Sequence, residues 1–448
     1  MKLFISPLDG RYSQKVADVA PIFSEFGLMR ARVAVEVLWL EFLSEKGIAP
    51  KIKDASALQR LLQEFTESDF KKIKKIEKTT NHDVKAVEYF LQQIIEPEAK
   101  DHELWPWIHF ACTSEDINNI SYGLIFRDGI NETVKVLDDV LIDLREKSFM
   151  WKSIPMLSRT HGQTATPTTV GKEFAVFFHR LEKITDCILN SPISAKINGA
   201  TGNYAAHLSA FPKEDWIKLS EEFIEEKVGL DWNPLTTQIE SHDDACATLN
   251  DISRASGVMI DLCRDVWGYI SLGYFGQKVV AGEVGSSTMP HKVNPIDFEN
   301  AEGNLKLARG IARTLSDELP VSRWQRDLTD STLQRNYGLV FGHFMLALKS
   351  LQKGLGKLEV REDILLKDLQ ESPEVLTEAV QTVLRKNGHA DAYEQLKNFS
   401  RGQKMSFDDL QNFIESADIS AADKKQLKNL TPETYIGLSE ELVEQFVK

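Results

Sequence analysis

Cysteine is scarce in this sequence, and its spacing excludes the usual zinc and disulfide frameworks. The four cysteines, Cys112, Cys187, Cys246 and Cys263, lie far apart, and none forms a C-x-x-C pair. Structural zinc sites and disulfide-stapled domains use closely and regularly spaced cysteines. We therefore expect free thiols in a reducing cytosol and no metal site.

The sequence also lacks a long apolar run. A membrane-spanning helix needs about 18 consecutive apolar residues, and no stretch approaches that length. The opening MKLFISPLDGRYS has no apolar segment of the kind found in signal peptides. We expect a cytoplasmic protein that has no membrane partner.

Positive charge is in deficit, because 53 lysines and arginines face 67 aspartates and glutamates, for a net charge of −14. Nucleic-acid binding needs a cationic face. This balance argues against nucleic acid as the main partner. A small anionic substrate is compatible with it, because an acidic protein can hold a local cationic pocket.

Several catalytic motifs are missing as well. The chain has no G-x-S-x-G elbow, no P-loop, no H-E-x-x-H and no G-x-G-x-x-G, and its ten histidines are not clustered in ligand spacing. These absences argue against the common hydrolases, nucleotide-phosphate transfer, zinc enzymes and dinucleotide-dependent enzymes. We expect no cofactor.

What the sequence does contain is helical periodicity. Apolar residues recur three or four positions apart through segments 117–144, 170–188 and 252–269. This spacing is typical of amphipathic helices, and long helices tend to form bundles. Alternating strand patterns are scarce, so the predicted fold class is all-α.

Two changes of pattern suggest domain boundaries in the 448-residue chain. One lies near Cys112, before TSED, and the other near Glu359, where long apolar helices give way to shorter charged ones. We predict an N-terminal helical domain over 1–112, a central long-helix bundle over 113–359 and a C-terminal helical domain over 360–448.

Two polar segments resemble helix starts. In TSEDINN, Thr113 or Ser114 would cap a helix that carries acidic residues in its first turn. Such an end can bind an anion, although ordinary capping is the commoner explanation for the segment taken alone. In TNHDVKAVEYF, His82 would lie near the positive end of a helix, where a neutral imidazole is favoured; it could be structural or catalytic.

A third polar segment, SRTHGQTATP, places His161 in a break between two long helices. An accessible imidazole there suits a general acid or base. A loop histidine hydrogen-bonded to a threonine explains the pattern too.

The segment GSSTMPHKVNP, at 285–295, joins a glycine-bearing entry to a helix start at Asn294 and Pro295. It could form a lid, in which Lys292 and Asn294 face an oxyanion or carboxylate. It could also be a polar surface loop. Nothing in the local pattern selects Ser286 over Ser287 as a reactive hydroxyl.

An arginine-rich segment, SRWQRDLTDSTLQRN, contains Arg323, Arg326 and Arg335. Arginine binds phosphate through paired hydrogen bonds. The same charges could instead pair with Asp327 and Asp330 on a solvated helix face.

Taken together, these segments resemble the fumarase/aspartase superfamily. Residues 286–294 match its S-S-x-M-P-x-K-x-N motif. The segments SPLDGRYS, NHDVKAVEYFL, TSEDINN, RTHGQTATPTT, TTQIESHD and PHKVNPIDFENAEGN are similar to the bacterial adenylosuccinate lyase family within it, from about residue 6 to the C-terminus.

The resemblance implies three helical domains and a homotetramer, in which the central helices of four subunits form a common core. Each active site would be shared among three subunits. The implied reaction is the β-elimination of fumarate from adenylosuccinate, giving AMP, and from succinylaminoimidazole carboxamide ribotide in purine synthesis. These small molecules would be the partners, and no cofactor is implied.

The resemblance also implies roles for individual residues. Ser286 would be the general base and His161 the general acid, with support from His82 and from Lys292. The implied substrate-binding residues are Arg11, Tyr12, Asn81, His82, Asp83, Thr113, Ser114, Gln238, Lys292, Asn294, Asn300, Arg326, Ser331 and Arg335. Thr164 departs from the family pattern, which usually has proline there, but it replaces no acting group.

Two alternatives share these motifs. Other lyases of the superfamily carry the same serine loop, but the arginine-rich segment and NHDVKAVEYF favour a phosphorylated substrate. A structural protein, as in the lens crystallins that reuse this fold, is disfavoured because both His161 and Ser286 are present.

Overall fold

The computed structural model of the protein describes residues 3–95, 102–278, 289, 292–400 and 405–447, without the side chains of 398–400. Helices make up most of it. Before residue 200 they are α1 (Ala20–Phe23), α2 (Glu25–Glu45), α3 (Ser56–Gln63), α4 (Glu67–Thr80), α5 (Asp83–Ile95), α6 (Ser114–Met150) and α7 (Val170–Asn190). Between residues 200 and 360 they are α8 (Ala205–Ala210), α9 (Trp216–Glu222), α10 (Asp243–Ser271), α11 (Ile296–Glu318), α12 (Thr329–Gln334) and α13 (Tyr337–Gly356).

Shorter helices follow in the C-terminal part. They are α14 (Glu362–Gln370), α15 (Thr377–Lys386), α16 (Ala392–Ser400), α17 (Phe407–Ser416), α18 (Ala421–Lys428) and α19 (Ser439–Phe446). The described strands are short and pair two by two: β1 (Pro155–Thr160) with β2 (Gln163–Thr169), β3 (Ser194–Ala195) with β4 (Asp231–Trp232), and β5 (Phe275–Gln277) with β6 (Leu358–Val360).

The two longest described helices, α6 and α10, are among those that periodicity predicted. The three predicted segments fall in α6, α7 and α10, and α6 alone has 37 residues. At a rise of about 1.5 Å per residue, α6 is about 55 Å long. The all-α class is confirmed. Helix α11 begins at Ile296, one residue after Pro295, which the sequence placed inside it.

The segment around His161 differs from the expected break between helices, because it forms a β-hairpin. Strands β1 and β2 are antiparallel, with Thr160 opposite Gln163 and a register shift between Leu157 and Ser158. His161 and Gly162 form the turn and both have positive φ, +54° and +74°. A two-residue turn of this kind matches the twist of paired strands, and the many threonines favour extended backbone.

The chain divides into two compact units, and each takes segments from several parts of the sequence. The first comprises residues 1–137, 184–257 and 303–349, and the second 138–183, 258–302 and 350–448. In the first unit, apolar clusters surround Trp39 and Phe90. In the second, one cluster joins Leu157 to the C-terminal helices. The three-domain division stays a prediction.

None of the described helices is both long and apolar enough to cross a bilayer.

His207 is buried in the first unit among aromatic rings. It packs edge-on against Trp216 and Tyr204, with ring centres 4.8 and 5.5 Å away. Neither ring nitrogen has a hydrogen-bond partner among the described residues. Burial lowers the pKa of His207 to about 4; the charge of Lys196 adds to this effect and Asp116 opposes it.

This burial predicts a pH dependence of stability. Histidine in the unfolded chain titrates near pH 6.5. Between about pH 6.5 and about 4, the unfolded chain therefore binds a proton at this position that the folded protein does not bind. The free energy of unfolding should therefore fall as the pH is lowered through that window, with a limiting slope of about 1.4 kcal/mol per pH unit from this residue. Urea unfolding at several pH values should show a shallower dependence for His207→Phe, and His179→Gln on the exposed side of α7 serves as the control. An unchanged slope in His207→Phe would contradict this account.

Candidate active site

The predicted helix start at Thr113 and Ser114 is confirmed, since α6 begins at Ser114. The backbone N–H of Thr113 donates to the Asp116 carboxylate at 2.7 Å. The two acidic residues of the first turn do not face solvent, because Glu115 and Asp116 are both buried. Their carboxylates hold other parts of the first unit in place.

Asp116 pairs with Lys196 at 2.8 Å, and both side chains are fully buried. The same carboxylate accepts the backbone N–H groups of Asn198 at 3.1 Å and Gly199 at 3.3 Å. In turn, Lys196 Nζ donates to the Gly199 carbonyl at 3.2 Å. The α6 start and the NGATGN loop are thus joined through one buried carboxylate.

Glu115 pairs with Arg326, whose guanidinium lies 2.7 Å from Oε2. Arg326 also lies 3.7 Å from Asp330, one of the two partners that the sequence offered, but Asp330 is buried and does not lie on a solvated face. Burial raises the pKa of Glu115, and the Arg326 charge opposes that rise. Arg326 is therefore held at the start of α6 by a carboxylate that the sequence pattern did not single out.

Gln238 contacts both the NGATGN loop and the arginine-rich segment. Its side-chain amide donates to the Ala200 carbonyl at 2.9 Å, and its backbone N–H donates to the Gln325 carbonyl at 3.2 Å. Thr113, Ser114, Gln238 and Arg326, which the sequence assigned to substrate binding, are therefore brought together by the fold.

The second predicted helix start is also confirmed, since α5 begins at Asp83. Asn81 ends α4 in a left-handed conformation, with φ +50°. His82 Nδ1 accepts the backbone N–H of Lys85 at 3.1 Å, so the imidazole caps α5. Capping requires an unprotonated Nδ1, which leaves Nε2 as the donor of a neutral ring.

Asp83 links this helix start to the arginine-rich segment. It pairs with Arg32 at 2.8 Å and with Arg335 at 3.3 Å. Burial opposes ionisation of Asp83, but the Arg32 charge, the Val84 N–H and Arg335 together lower the pKa of the carboxyl group. Asn81, His82, Asp83 and Arg335 thus form a second group in the first unit.

Arg335 also borders two cavities of the first unit, of about 260 and 180 Å³. The larger is lined by Phe23, Ser24, Glu25, Leu28, Tyr122, Ile125, Gln334, Arg335 and Gly338. Ser331 is half-buried on α12, and its N–H donates to Asp330 at 2.7 Å. Arg11 is exposed and lies 5.8 Å from the ring centre of Tyr12.

The remaining predicted residues belong to the second unit. His161 is exposed at the hairpin turn. Lys292 and Asn294 precede α11, where the Gln277 side chain donates to the Val293 carbonyl at 3.3 Å. Asn300, on α11, accepts from Ser350 Oγ at 2.8 Å. Ser286 lies outside the described residues, so its role stays a prediction.

Glu115, Asp116 and Lys196 help to build the site, although the sequence pattern did not indicate this. The acidic pair was noted only as a first turn, and Lys196 carried no local signal. Their importance lies in burial and in contacts across 77 or more positions of sequence, which no local spacing reveals.

Two family profiles match the chain. The profile described as "Lyase" matches residues 10–310, and the one described as "Adenylosuccinate lyase C-terminal" matches residues 322–436. The chain is also similar to proteins named adenylosuccinate lyase. That of Haemophilus influenzae is 49% identical, that of Vibrio cholerae 48% and that of Escherichia coli K12 46%, each over 98% of both chains.

Solved structures resemble the fold at much lower identity. A fumarate lyase from Mesorhizobium sp. BNC1 has a TM-score of 0.78 at 19% identity, over 96% of this chain and 97% of that one. The 3-carboxy-cis,cis-muconate lactonizing enzyme from Pseudomonas putida has a TM-score of 0.75 at 20% identity, over 96% of both. These two likenesses concern the fold alone.

Proposed function

This chain belongs to the adenylosuccinate lyase family of the fumarase/aspartase superfamily, and we propose that it uses His161 and Ser286 to eliminate fumarate from its substrates. It is a C–N lyase of purine nucleotide biosynthesis. The substrates are adenylosuccinate, which gives AMP, and succinylaminoimidazole carboxamide ribotide. The observation that carries the activity is the similarity to adenylosuccinate lyases along the whole chain.

The proposed elimination breaks one C–H and one C–N bond and forms the double bond of fumarate. Ser286, as its alkoxide, takes a proton from the succinyl carbon beside a carboxylate. The electron pair left behind forms the double bond as the C–N bond breaks, and His161 protonates the departing nitrogen. General acid–base help of this kind contributes roughly 10²–10⁴-fold per group.

Charge stabilisation supplies much of the remaining rate acceleration. A serine is a poor base unless its alkoxide is stabilised, and the positive charge of Lys292 suits that task. The carbanion spreads negative charge onto the neighbouring carboxylate, where Lys292 and Asn294 would bind it. Exclusion of water from the site would strengthen both effects.

In this proposal the nucleotide end binds at the arginine-rich segment. Arg326, Ser331 and Arg335, with Arg11 and Tyr12, would hold the phosphate and ribose. The side chain of Arg335 is 47% exposed, so it can add a phosphate to its contact with Asp83. The remaining residues of the proposed binding site are Asn81, His82, Asp83, Thr113, Ser114, Gln238, Lys292, Asn294 and Asn300. The α6 start suits a succinyl carboxylate because helix N-termini bind anions.

We also propose a cytoplasmic homotetramer with shared active sites and the three-domain division at 112 and 359. Support for the association of subunits, though not for the location or the domain division, comes from large apolar side chains that the single chain leaves exposed on its long helices, namely Ile142, Met150, Trp267 and Leu307. Exposed apolar surface of this kind is typical of contacts between subunits.

Removing the proposed acid or base should abolish turnover while the protein stays folded. We expect His161→Ala and Ser286→Ala to lower kcat by about 10²-fold or more, because each removes a proton-transfer step. The assay is the loss of adenylosuccinate absorbance, with circular dichroism and light scattering as checks of fold and assembly. Ser287→Ala is the matched control and should lose far less activity.

Full activity in either variant would refute its assigned role. Turnover of malate, aspartate or argininosuccinate in place of adenylosuccinate would overturn the proposed specificity.

Arg335→Ala should weaken binding of the nucleotide end. A charge-assisted hydrogen bond contributes about 1.5–3 kcal/mol, so we expect KM for adenylosuccinate and Kd for AMP to rise at least about tenfold. Asp83 keeps Arg32 as its partner, so the fold should survive. Arg323→Ala is the matched control, because that side chain is 82% exposed and lies 3.9 Å from Asp327. Equal effects of the two substitutions would count against a specific phosphate contact at Arg335.

A further inference from the structure

The hairpin that carries His161 has no large core of its own. Its tip, from Arg159 to Thr164, is exposed. His161 lies in the two-residue turn in a left-handed conformation, with φ +54°. The direction of its side chain is therefore set by the direction of the two strands. What holds those strands in the second unit decides where the imidazole points.

An apolar anchor holds the base of the hairpin. Leu157 is buried and belongs to the same cluster as Leu369, Val375 and Leu376 of the C-terminal helices. The register of the hairpin shifts immediately after Leu157. The two residues nearest the tip of β1, Arg159 and Thr160, are thus beyond the apolar anchor, and their placement depends on polar contacts.

Arg159 supplies such a contact. Its Nη2 lies 2.6 Å from the Asp368 carboxylate and 3.0 Å from the Tyr274 hydroxyl. The Tyr274 hydroxyl donates to the same oxygen of Asp368, which closes a triangle of hydrogen bonds. Tyr274 is itself buried, so packing fixes the position of one of the three hydrogen-bonded groups. Burial, and then the hydrogen bond to Asp368, raises the pKa of Tyr274 to about 12, so its hydroxyl stays a donor at neutral pH.

The second strand has its own polar anchor. Thr166 Oγ1 donates to the Glu378 carboxylate, which also accepts the Tyr435 hydroxyl at 3.1 Å. Asp368 lies on α14 and Glu378 on α15, so each strand is tied to a different C-terminal helix. The segment after residue 360 contributes no predicted binding residue, yet it makes the contacts that hold this hairpin.

We propose that Arg159 and Asp368 are positioning residues that aim His161 at the leaving nitrogen. The inference rests on the proposed function, in which His161 is the general acid. Only Thr160 separates Arg159 from His161, so a change at the triangle moves the imidazole directly. A displacement of about 1 Å at a reacting group can cost about 10²-fold in rate. Neither residue belongs to the proposed binding site, so substrate affinity should be spared.

The test is steady-state kinetics on the full-length protein with adenylosuccinate. For Arg159→Gln and Asp368→Asn we expect kcat to fall about 10- to 100-fold, while KM and the Kd of AMP stay within about twofold. Arg159→Lys keeps a cation beside Asp368 and should recover most of the lost kcat. Tyr274→Phe keeps the buried ring and the Arg159–Asp368 pair, removes the two hydrogen bonds of the Tyr274 hydroxyl and should lower kcat by a smaller factor. This variant tests the positioning role if Arg159→Gln does not fold.

The matched control is Glu415→Gln. It removes a carboxylate that pairs with Lys428 within the C-terminal helices. Its kcat should equal that of the wild type. Thermal midpoints of all variants are measured alongside.

The outcomes separate the two claims. Wild-type kcat in Arg159→Gln and Asp368→Asn, with a dead His161→Ala, would overturn the positioning role and leave the general acid in place. An active His161→Ala would overturn the acid assignment and the inference with it. Parallel losses in kcat, affinity and thermal midpoint, with no rescue by Arg159→Lys, would show a merely structural role and also overturn the inference.

Discussion

The first unit depends on one buried carboxylate. Asp116 accepts hydrogen bonds from Lys196 and from the backbone of Thr113, Asn198 and Gly199, at 2.7 to 3.3 Å. Asp116 and Lys196 have no exposed side-chain surface, and breaking such a pair leaves a buried charge at a cost of about 3–5 kcal/mol. The placement of Thr113, and of the loop that Gln238 contacts, follows from this ion pair.

The long helices could be predicted from the sequence because their signal is local. Apolar residues between 117 and 144 repeat at helical spacing, and α6 follows them. The hairpin at 155–169 could not, because its strands are mostly polar and lack alternation. Its stability comes from Leu157 in the C-terminal core and from Arg159 on Asp368, 209 positions away. The grouping into two units depends on contacts of the same long range.

In the candidate site, too, some features could be predicted from local sequence and others could not. Helix starts at Ser114 and Asp83 were predictable, since capping residues and acidic first turns mark them. For the arginines, the sequence left phosphate binding and pairing on a helix face both open. The structure pairs Arg335 with Asp83, 252 positions away, and Arg326 with Glu115. Carboxylates that hold arginines in place are compatible with phosphate binding, but spacing alone could not identify them.

The central claim is that the arginine-rich segment and the hairpin histidine act on one nucleotide. A crystal structure of the assembled protein with AMP and fumarate tests it most directly. The account predicts the phosphate on Arg326, Ser331 and Arg335, and the His161 imidazole about 3 Å from the exocyclic nitrogen of the purine. AMP bound without these arginines, or with no His161 within hydrogen-bond reach of that nitrogen, would contradict it.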